Sequence, residues 1–284
     1  MKWPANILLA AVLVLVLGAC GPEQEASTDG DAEEGAVEES TELELVELPK
    51  APAAGAGETL GYGFTAEESS GAMTSFLELA INDVHSMWAE MMVQGGYSMP
   101  VVDYILTYEG ETEATGCTAS GETGPGDAFY CAEEDLIVFV NELAMEIWRS
   151  AAEADGGPEA GAKAGDFAVA AAMAHLYAHS LQGEWGWLPA EAEQESPVPA
   201  KEMELNAECL TGVWAQSAYG SDMLDTGAVE RTMETLAGAG QFDGAENEGE
   251  AAPSERAAAF MAGFDSGMVS SCDPYLEGEG ATQK

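Results

Sequence analysis

One alanine-rich segment, residues 166–182 with the sequence DFAVAAAMAHLYAHSLQ, constrains the fold of this chain more than any other. Alanine, methionine and leucine favour a helix, and Asp166 before the apolar run is the predicted N-cap. Because the run is almost wholly apolar, we expect the helix to be buried. His175 and His179 are four residues apart, so both imidazoles lie on one face with the spacing that a zinc ion needs. The chain has three histidines, and two of them fall in this segment.

A second segment, residues 203–214 with the sequence MELNAECLTGVW, repeats this spacing with carboxylates. Glu204 and Glu208 share one helix face, so one is a candidate third ligand and the other a candidate partner that orients a ligand imidazole. Zinc peptidases with a His-Glu-x-x-His motif carry a glutamate directly after the first histidine, where it acts as general base. In this chain that position holds Leu176.

The order of these segments resembles the neutral zinc metallopeptidases, which are small bacterial zincins. Motifs of that family read approximately HEVGHH, then LELQADCxAGVW, then GTSAQRxxWFxxGFxSGxxxxCDxF. The present chain has AHLYAHSLQ, MELNAECLTGVW and APSERAAAFMAGFDSGMVSSCDPY in the same order. The resemblance covers residues 76–276.

The resemblance assigns roles to individual residues. It implies that His175, His179 and Glu204 are metal ligands and that Glu208 takes the place of an aspartate in the family motif. It also places Leu176 at the position of the general base, and a hydrocarbon side chain cannot accept a proton. The implied cofactor is zinc, and the implied fold is that of a zincin. Peptidase activity stays an open question.

The expected fold is α+β and mostly helical, with a small antiparallel sheet packed on the helix that carries the two histidines. The first helix is predicted to begin near Ser70 or Ala72 and to stop at Gly95 and Gly96. The β-branched and aromatic runs at residues 101–108 and 136–140 are predicted strands. Glycine-rich residues 156–165 are predicted to be a flexible connection. Further helices are predicted at 141–152, 202–219, 227–239 and 254–268.

Four of the five cysteines are predicted to form disulfides. An exported chain with Cys117, Cys131, Cys209 and Cys272 allows three pairings. The short separation of Cys117 and Cys131 across two strand-like segments favours that pair and leaves Cys209 with Cys272, and the resemblance implies the same pairs. A cysteine metal site is disfavoured, since no Cys-x-x-Cys spacing occurs.

The N-terminus has the pattern of an export signal. Lys2 precedes an apolar run at residues 7–17 that is too short to span a bilayer, and Leu17 of this run begins the sequence Leu-Gly-Ala-Cys at residues 17–20. We interpret residues 1–19 as a lipoprotein signal peptide and Cys20 as the lipidated residue, which would place the protein outside a membrane, at the cell surface or in the periplasm. An ordinary secretory signal with a coincidental cysteine is the alternative. Three further regions are expected: an acidic disordered tether at 20–65, the folded domain at 66–276 and a disordered tail at 277–284.

The charge is unusual, because 52 acidic and 8 basic residues give a formal net charge of -44. Such a surface disfavours electrostatic binding to nucleic acid or to an anionic membrane. It is typical of a protein adapted to high salt, where screening removes most of the self-repulsion. The alternative is a dedicated acidic function such as calcium loading, which the even spread of the acids along the chain disfavours.

Three functional hypotheses follow. The first is a lipid-anchored, zincin-like protein that binds zinc, is catalytically impaired and holds a peptide or protein partner in its cleft. The second is an active zinc metallopeptidase with a displaced general base. The third is a structural surface lipoprotein without metal, in which the paired histidines are ordinary core or surface residues. We interpret His85 as a partly exposed surface residue rather than a ligand. The acidic residues considered for a displaced base are Glu184, Glu191, Glu193 and Glu195.

Overall fold

The described residues form six α-helices and three short strands. In this computed structural model they are residues 43, 45–53, 70–154, 158–189, 196, 198–219, 226–238 and 251–276, and all belong to one compact unit that spans residues 41–284. The mostly helical α+β class is confirmed, and each predicted helix is present. The helices are α1 (Ser70–Gly95), α2 (Asn141–Ala154), α3 (Pro158–Glu184), α4 (Ala200–Tyr219), α5 (Thr226–Gly238) and α6 (Pro253–Ser266).

Helix α3 is the central element of this unit. It packs against α1, α2, α4 and α5, and also against two strands of the sheet. Every residue from 167 to 182 is buried, as the apolar composition predicts. The many alanines of this stretch leave room for neighbouring helices on several sides. The helix that carries the two histidines is therefore surrounded by other elements of the fold.

Helix α3 begins at Pro158, well before Asp166, so the predicted N-cap is wrong. Asp166 lies inside the helix and accepts a hydrogen bond from Trp148 Nε1 at 2.9 Å. The predicted flexible connection is also wrong over most of its length, because its glycines serve close packing. A Cβ at Gly161 would overlap the carbonyl of Ala152, and one at Gly165 would overlap the Trp148 indole. These glycines let α2 and α3 approach each other.

The small sheet has the strand order β1-β3-β2, with β1 at Asp103–Leu106, β2 at Ala128–Cys131 and β3 at Leu136–Phe139. Strand β2 lies between the two predicted strands and was not itself predicted; it pairs antiparallel with β3, whereas the predicted strand β1 pairs parallel with β3. The sheet is thus mixed, which corrects the prediction of an antiparallel sheet. A short turn fixes the direction of β2 against β3, whereas the chain from β1 returns through residues 107–135 before it reaches β3, which permits a parallel pairing.

Helices α4 and α6 cross at very close range. A Cβ at Gly212 would overlap the carbonyl oxygen of Phe260, and a Cβ at Gly263 would overlap that of Cys209. Just beyond α6, two short 3₁₀ turns at Val269–Ser271 and Asp273–Tyr275 complete the described chain. Both predicted disulfides are present, and the second ties α4 to the segment between these turns. The pairs are Cys117–Cys131 and Cys209–Cys272.

Residues 45–53, within the predicted tether, lie against the folded unit. Val46 and Ala51 are buried, and Ala51 N donates a hydrogen bond to Gly267 O at 2.8 Å. The apolar residues that alternate with glutamates in this segment explain the difference, since they gain from burial. The predicted signal peptide, Cys20, the tether apart from residues 43 and 45–53, and the tail lie outside the described residues. Across the part of the chain that is described, no helix is long and apolar enough to cross a membrane.

Candidate metal centre

Helix α3 brings its two histidines together inside the protein. His175 is fully buried, and His179 keeps 7% of its surface exposed. Their Nε2 atoms lie 3.1 Å apart, and the two ring planes are nearly perpendicular, at 86°. The four-residue spacing thus places both rings at one point, as predicted.

Helix α4 adds a carboxylate to the same point. Glu204 Oε2 lies 3.2 Å from His175 Nε2, and Glu204 Oε1 lies 3.5 Å from His179 Nε2. One potential ligand atom from each of the three residues falls within 4.8 Å of the other two. The Glu204 side chain is 28% exposed, whereas that of His175 is 1% exposed. Solvent therefore reaches the cluster at Glu204 and not at His175.

The protonation state of Glu204 is the one that a metal ligand requires. Burial raises the pKa of its carboxyl, but the nearby His179 and His175 outweigh that effect and hold the pKa well below the ordinary range. A carboxylate is therefore present at neutral pH. Its Oε2 atom is buried and, although near His175, accepts no hydrogen bond of acceptable geometry from the described residues.

This arrangement fits a zinc ion. Two atoms bound to one zinc ion at about 2.0–2.1 Å are roughly 3.3 Å apart when the coordination is tetrahedral. The Nε2–Nε2 distance of 3.1 Å, and the distances of 3.2 Å from His175 Nε2 to Glu204 Oε2 and 3.5 Å from His179 Nε2 to Glu204 Oε1, lie close to that separation. Two imidazoles and one carboxylate are also a donor set that zinc takes in open, three-residue sites.

Glu208 lies behind His175. Its Oε1 is 3.4 Å from His175 Nδ1, longer than a well-formed hydrogen bond, and accepts a hydrogen bond from Arg256 Nε at 2.6 Å and another from Arg256 Nη2. Burial raises the pKa of Glu208, but the Arg256 guanidinium and His175 outweigh it and lower the pKa below its usual value. The carboxylate that faces Nδ1 is thus ionised, as a partner that orients a ligand imidazole should be.

No carboxylate replaces the absent general base among the described residues of the cleft. Leu176 is fully buried and does not line the cleft. Glu184 is exposed and accepts a hydrogen bond from Val101 N at 3.0 Å, and it does not line the cleft either. Glu191, Glu193 and Glu195 lie outside the described residues.

A cleft of about 240 Å³ opens beside His179 and Glu204. Tyr130, on the edge strand β2, donates its hydroxyl to Asp135 Oδ1 at 2.9 Å, and Ser196 Oγ donates to Trp187 O at 3.3 Å. These polar groups of the wall are thus already engaged. The rest of the wall is apolar and consists of Phe129, Leu188, Ala200, Met203 and Val198.

His85 takes no part in the cluster. It is half-buried on α1, and its Nδ1 is hydrogen-bonded to Tyr177 OH at 2.8 Å. Three residues around the paired histidines were missed by sequence reasoning. None of them belongs to the three-residue cluster: Gln182 is hydrogen-bonded to His179, Asn206 to Gln182, and Arg256 to Glu208.

Comparisons with known proteins identify relatives and a family. The uncharacterized protein YpfJ of Escherichia coli strain K12 is 26% identical over 227 residues, which cover 74% of this chain and 72% of the relative. The uncharacterized protein Rv2575 of Mycobacterium tuberculosis strain H37Rv is 29% identical over 140 residues, which cover 48% of this chain and 42% of the relative. No solved structure matches. The model of the family described as "Putative neutral zinc metallopeptidase" matches residues 58–275. The chain therefore belongs to the neutral zinc metallopeptidase family.

Proposed function

We propose that this protein is an exported, lipid-anchored member of its family that binds one zinc ion, hydrolyses peptides poorly and holds a peptide or protein segment in its cleft. The observation that carries the proposal is a three-residue cluster of zinc-compatible geometry, His175, His179 and Glu204, beside a leucine at the position of the general base.

The three residues of the cluster would hold the metal. Bound zinc supplies Lewis acidity, which polarises a substrate carbonyl and makes water more acidic. His175 and His179 are fixed by the buried helix α3, and Glu204 supplies the negative charge that offsets part of the charge of a divalent cation. The exposed side of Glu204 leaves room for a ligand that enters from the cleft.

Catalysis requires a proton acceptor that this site does not offer among the described residues. A well-placed general base speeds hydrolysis by roughly 10² to 10⁴. Leu176 has neither a lone pair nor an ionisable group, and it is buried at 0% exposure. We therefore expect slow hydrolysis at most.

The cleft suits an extended peptide with an apolar side chain. Its wall offers hydrocarbon surface, and the hydroxyls of Tyr130 and Ser196 already have acceptors. Strand β2 is an edge strand of the sheet and packs against α3, so its outer edge can pair with an added strand. Backbone pairing together with an apolar pocket would retain a peptide without cleavage.

The N-terminal sequence supports a location outside the cytoplasm. A basic residue, a short apolar run and the Leu-Gly-Ala-Cys ending favour cleavage before Cys20 and acylation of its sulfur. One acyl chain binds a membrane only weakly, so stable anchoring requires the further acylation that lipoproteins receive. The formal charge of -44 supports work at high salt.

Restoring the general base tests this proposal. We expect Leu176→Glu, loaded with zinc, to cleave a denatured protein at least 10²-fold faster than wild type, and a chelator to abolish the gain. The matched control is Leu176→Gln, which has nearly the same size but no proton acceptor of comparable basicity, and which should stay as slow as wild type. A wild-type protein that cleaves as fast as Leu176→Glu would contradict the proposal.

A working peptidase with a displaced base is less well supported. Of the four glutamates considered, Glu184 accepts a hydrogen bond from Val101 N and is not among the residues that line the cleft. A metal-free scaffold is also less well supported, because it gives no reason for two imidazoles and a buried carboxylate oxygen to converge.

A further inference from the structure

A directional chain of hydrogen bonds ends on His179. Its Nδ1 lies 2.8 Å from Gln182 Oε1, and Gln182 Nε2 donates to Met203 O at 3.0 Å and to Asn206 Oδ1 at 2.9 Å. Asn206 Nδ2 in turn donates to Cys272 O at 3.1 Å. The chain thus runs from the segment after α6, through α4, to the histidine on α3.

Backbone carbonyls fix the direction of each bond. A carbonyl oxygen only accepts, so Met203 O and Cys272 O must face amide nitrogens. Gln182 therefore turns its Oε1 to the ring, and an oxygen that only accepts requires a proton on His179 Nδ1. Neutral imidazole carries one proton, so the lone pair then lies on Nε2, the atom that faces His175 and Glu204.

We propose that Gln182 is a positioning residue that selects the metal-binding tautomer of His179 and fixes the orientation of its ring. The inference rests on the proposed zinc site and identifies the residue that orients one of its ligands before the metal binds. Gln182 is fully buried and sits one helical turn beyond His179, so helix α3 supplies both the ligand and the group that orients it. Partners of this kind typically change metal affinity by 10- to 100-fold.

Two substitutions separate positioning from mere stability. Gln182→Met keeps the length but removes the acceptor, whereas Gln182→Glu keeps an acceptor for Nδ1 and loses the donor to Met203 and Asn206. We expect Gln182→Met to weaken zinc binding by about 10- to 100-fold. We expect Gln182→Glu to bind zinc at least as tightly as wild type, although both variants unfold more easily without metal. Gln216→Met, the same change made on α4 outside the hydrogen-bond chain, is the matched control and should bind zinc as wild type does.

The tautomer itself can be read by nitrogen NMR, since the chain holds only three histidines. At a pH where the rings are neutral and metal is absent, wild type should show His179 protonated at Nδ1, and Gln182→Met should show a shift toward Nε2. Zinc affinity is measured by titration of zinc alone into folded protein at high salt.

Several results would overturn the inference. Unchanged zinc affinity in Gln182→Met would do so, and so would an equal loss in a folded Gln182→Glu, because the effect would then be structural. If Gln182→Met does not fold, Gln182→Glu carries the test, and weakened zinc binding there counts against the inference. Absence of zinc binding in wild type would instead remove the proposed function, which is a distinguishable outcome.

Discussion

Arg256 and Glu208 form a buried ion pair that joins α6 to the helix carrying the carboxylate of the metal centre. Glu208 also faces His175 Nδ1 at 3.4 Å, so the guanidinium acts on the ring through one carboxylate. Helix α6 therefore contributes to the site although none of its residues belongs to the three-residue cluster.

Loss of this pair should destabilise the fold in a pH-dependent way. Because the pKa of folded Glu208 lies below its ordinary value of about 4.5, its contribution is fully present above that value and is lost as the pH falls through the lowered pKa. Glu208→Gln removes the negative charge that pairs with the buried Arg256 guanidinium, so the free energy of unfolding should drop by about 3–5 kcal/mol near neutral pH. The difference from wild type should shrink at acid pH.

Denaturant unfolding of the metal-free proteins at high salt, at several pH values, measures this difference. Glu255→Gln, next to Arg256 on α6, is the control, since Glu255 is exposed and pairs with Lys201 at the surface. It should change stability much less. A wild-type advantage over Glu208→Gln that stays constant from neutral to acid pH would argue against an ionised Glu208.

The two disulfides should differ in their effect on zinc. Cys209–Cys272 closes a loop with a separation of 63 residues, and Cys117–Cys131 one of 14. Chain entropy predicts losses of about 4 and about 3 kcal/mol when each pair is replaced by alanines.

Only the loss of the Cys209–Cys272 disulfide should weaken zinc binding, because Cys209 lies on α4 next to Glu208 and at the crossing with α6. Titration of zinc into each folded double variant measures the effect. Equal zinc affinity in both double variants would show that this disulfide does not hold the centre.

The crossing of α4 and α6 should not tolerate a methyl group. Gly263→Ala places a Cβ against the carbonyl oxygen of Cys209, so the helices must separate. Overpacking of this kind costs about 1–3 kcal/mol or more. Gly124→Ala, whose Cβ would meet Asp127 at an ordinary distance of 3.7 Å, should stay within about 0.5 kcal/mol of wild type. Thermal unfolding compares the two, and equal stability would contradict the close crossing.

The ligand cluster could be predicted from the sequence because its geometry is local. His175 and His179 are one helical turn apart, and Glu204 and Glu208 repeat that spacing, so period and residue type alone indicated two facing pairs. The resemblance to the neutral zinc metallopeptidases then indicated that the histidine pair and the glutamate pair belong to one site. The helices could be predicted for the same reason, since the apolar period of each is contained within a single segment.

Features that depend on tertiary contacts could not be predicted in this way. Arg256 and Gln182 are ordinary polar residues until packing directs them to Glu208 and to His179. The glycines of residues 156–165 indicate flexibility when read alone, but they allow close packing once α2 is beside them. Strand periodicity likewise carries no information on direction, and so the parallel pairing of β1 was missed.

The central claim is tested most directly by the zinc stoichiometry of the purified protein in high salt. Titration of zinc into metal-free protein should give one ion per chain, and both His179→Ala and Glu204→Gln should lose most of the affinity. His85→Ala, a histidine change outside the cluster, should keep it. Wild-type protein that takes up no stoichiometric zinc, or a His85→Ala variant that loses as much affinity as His179→Ala, would contradict the account.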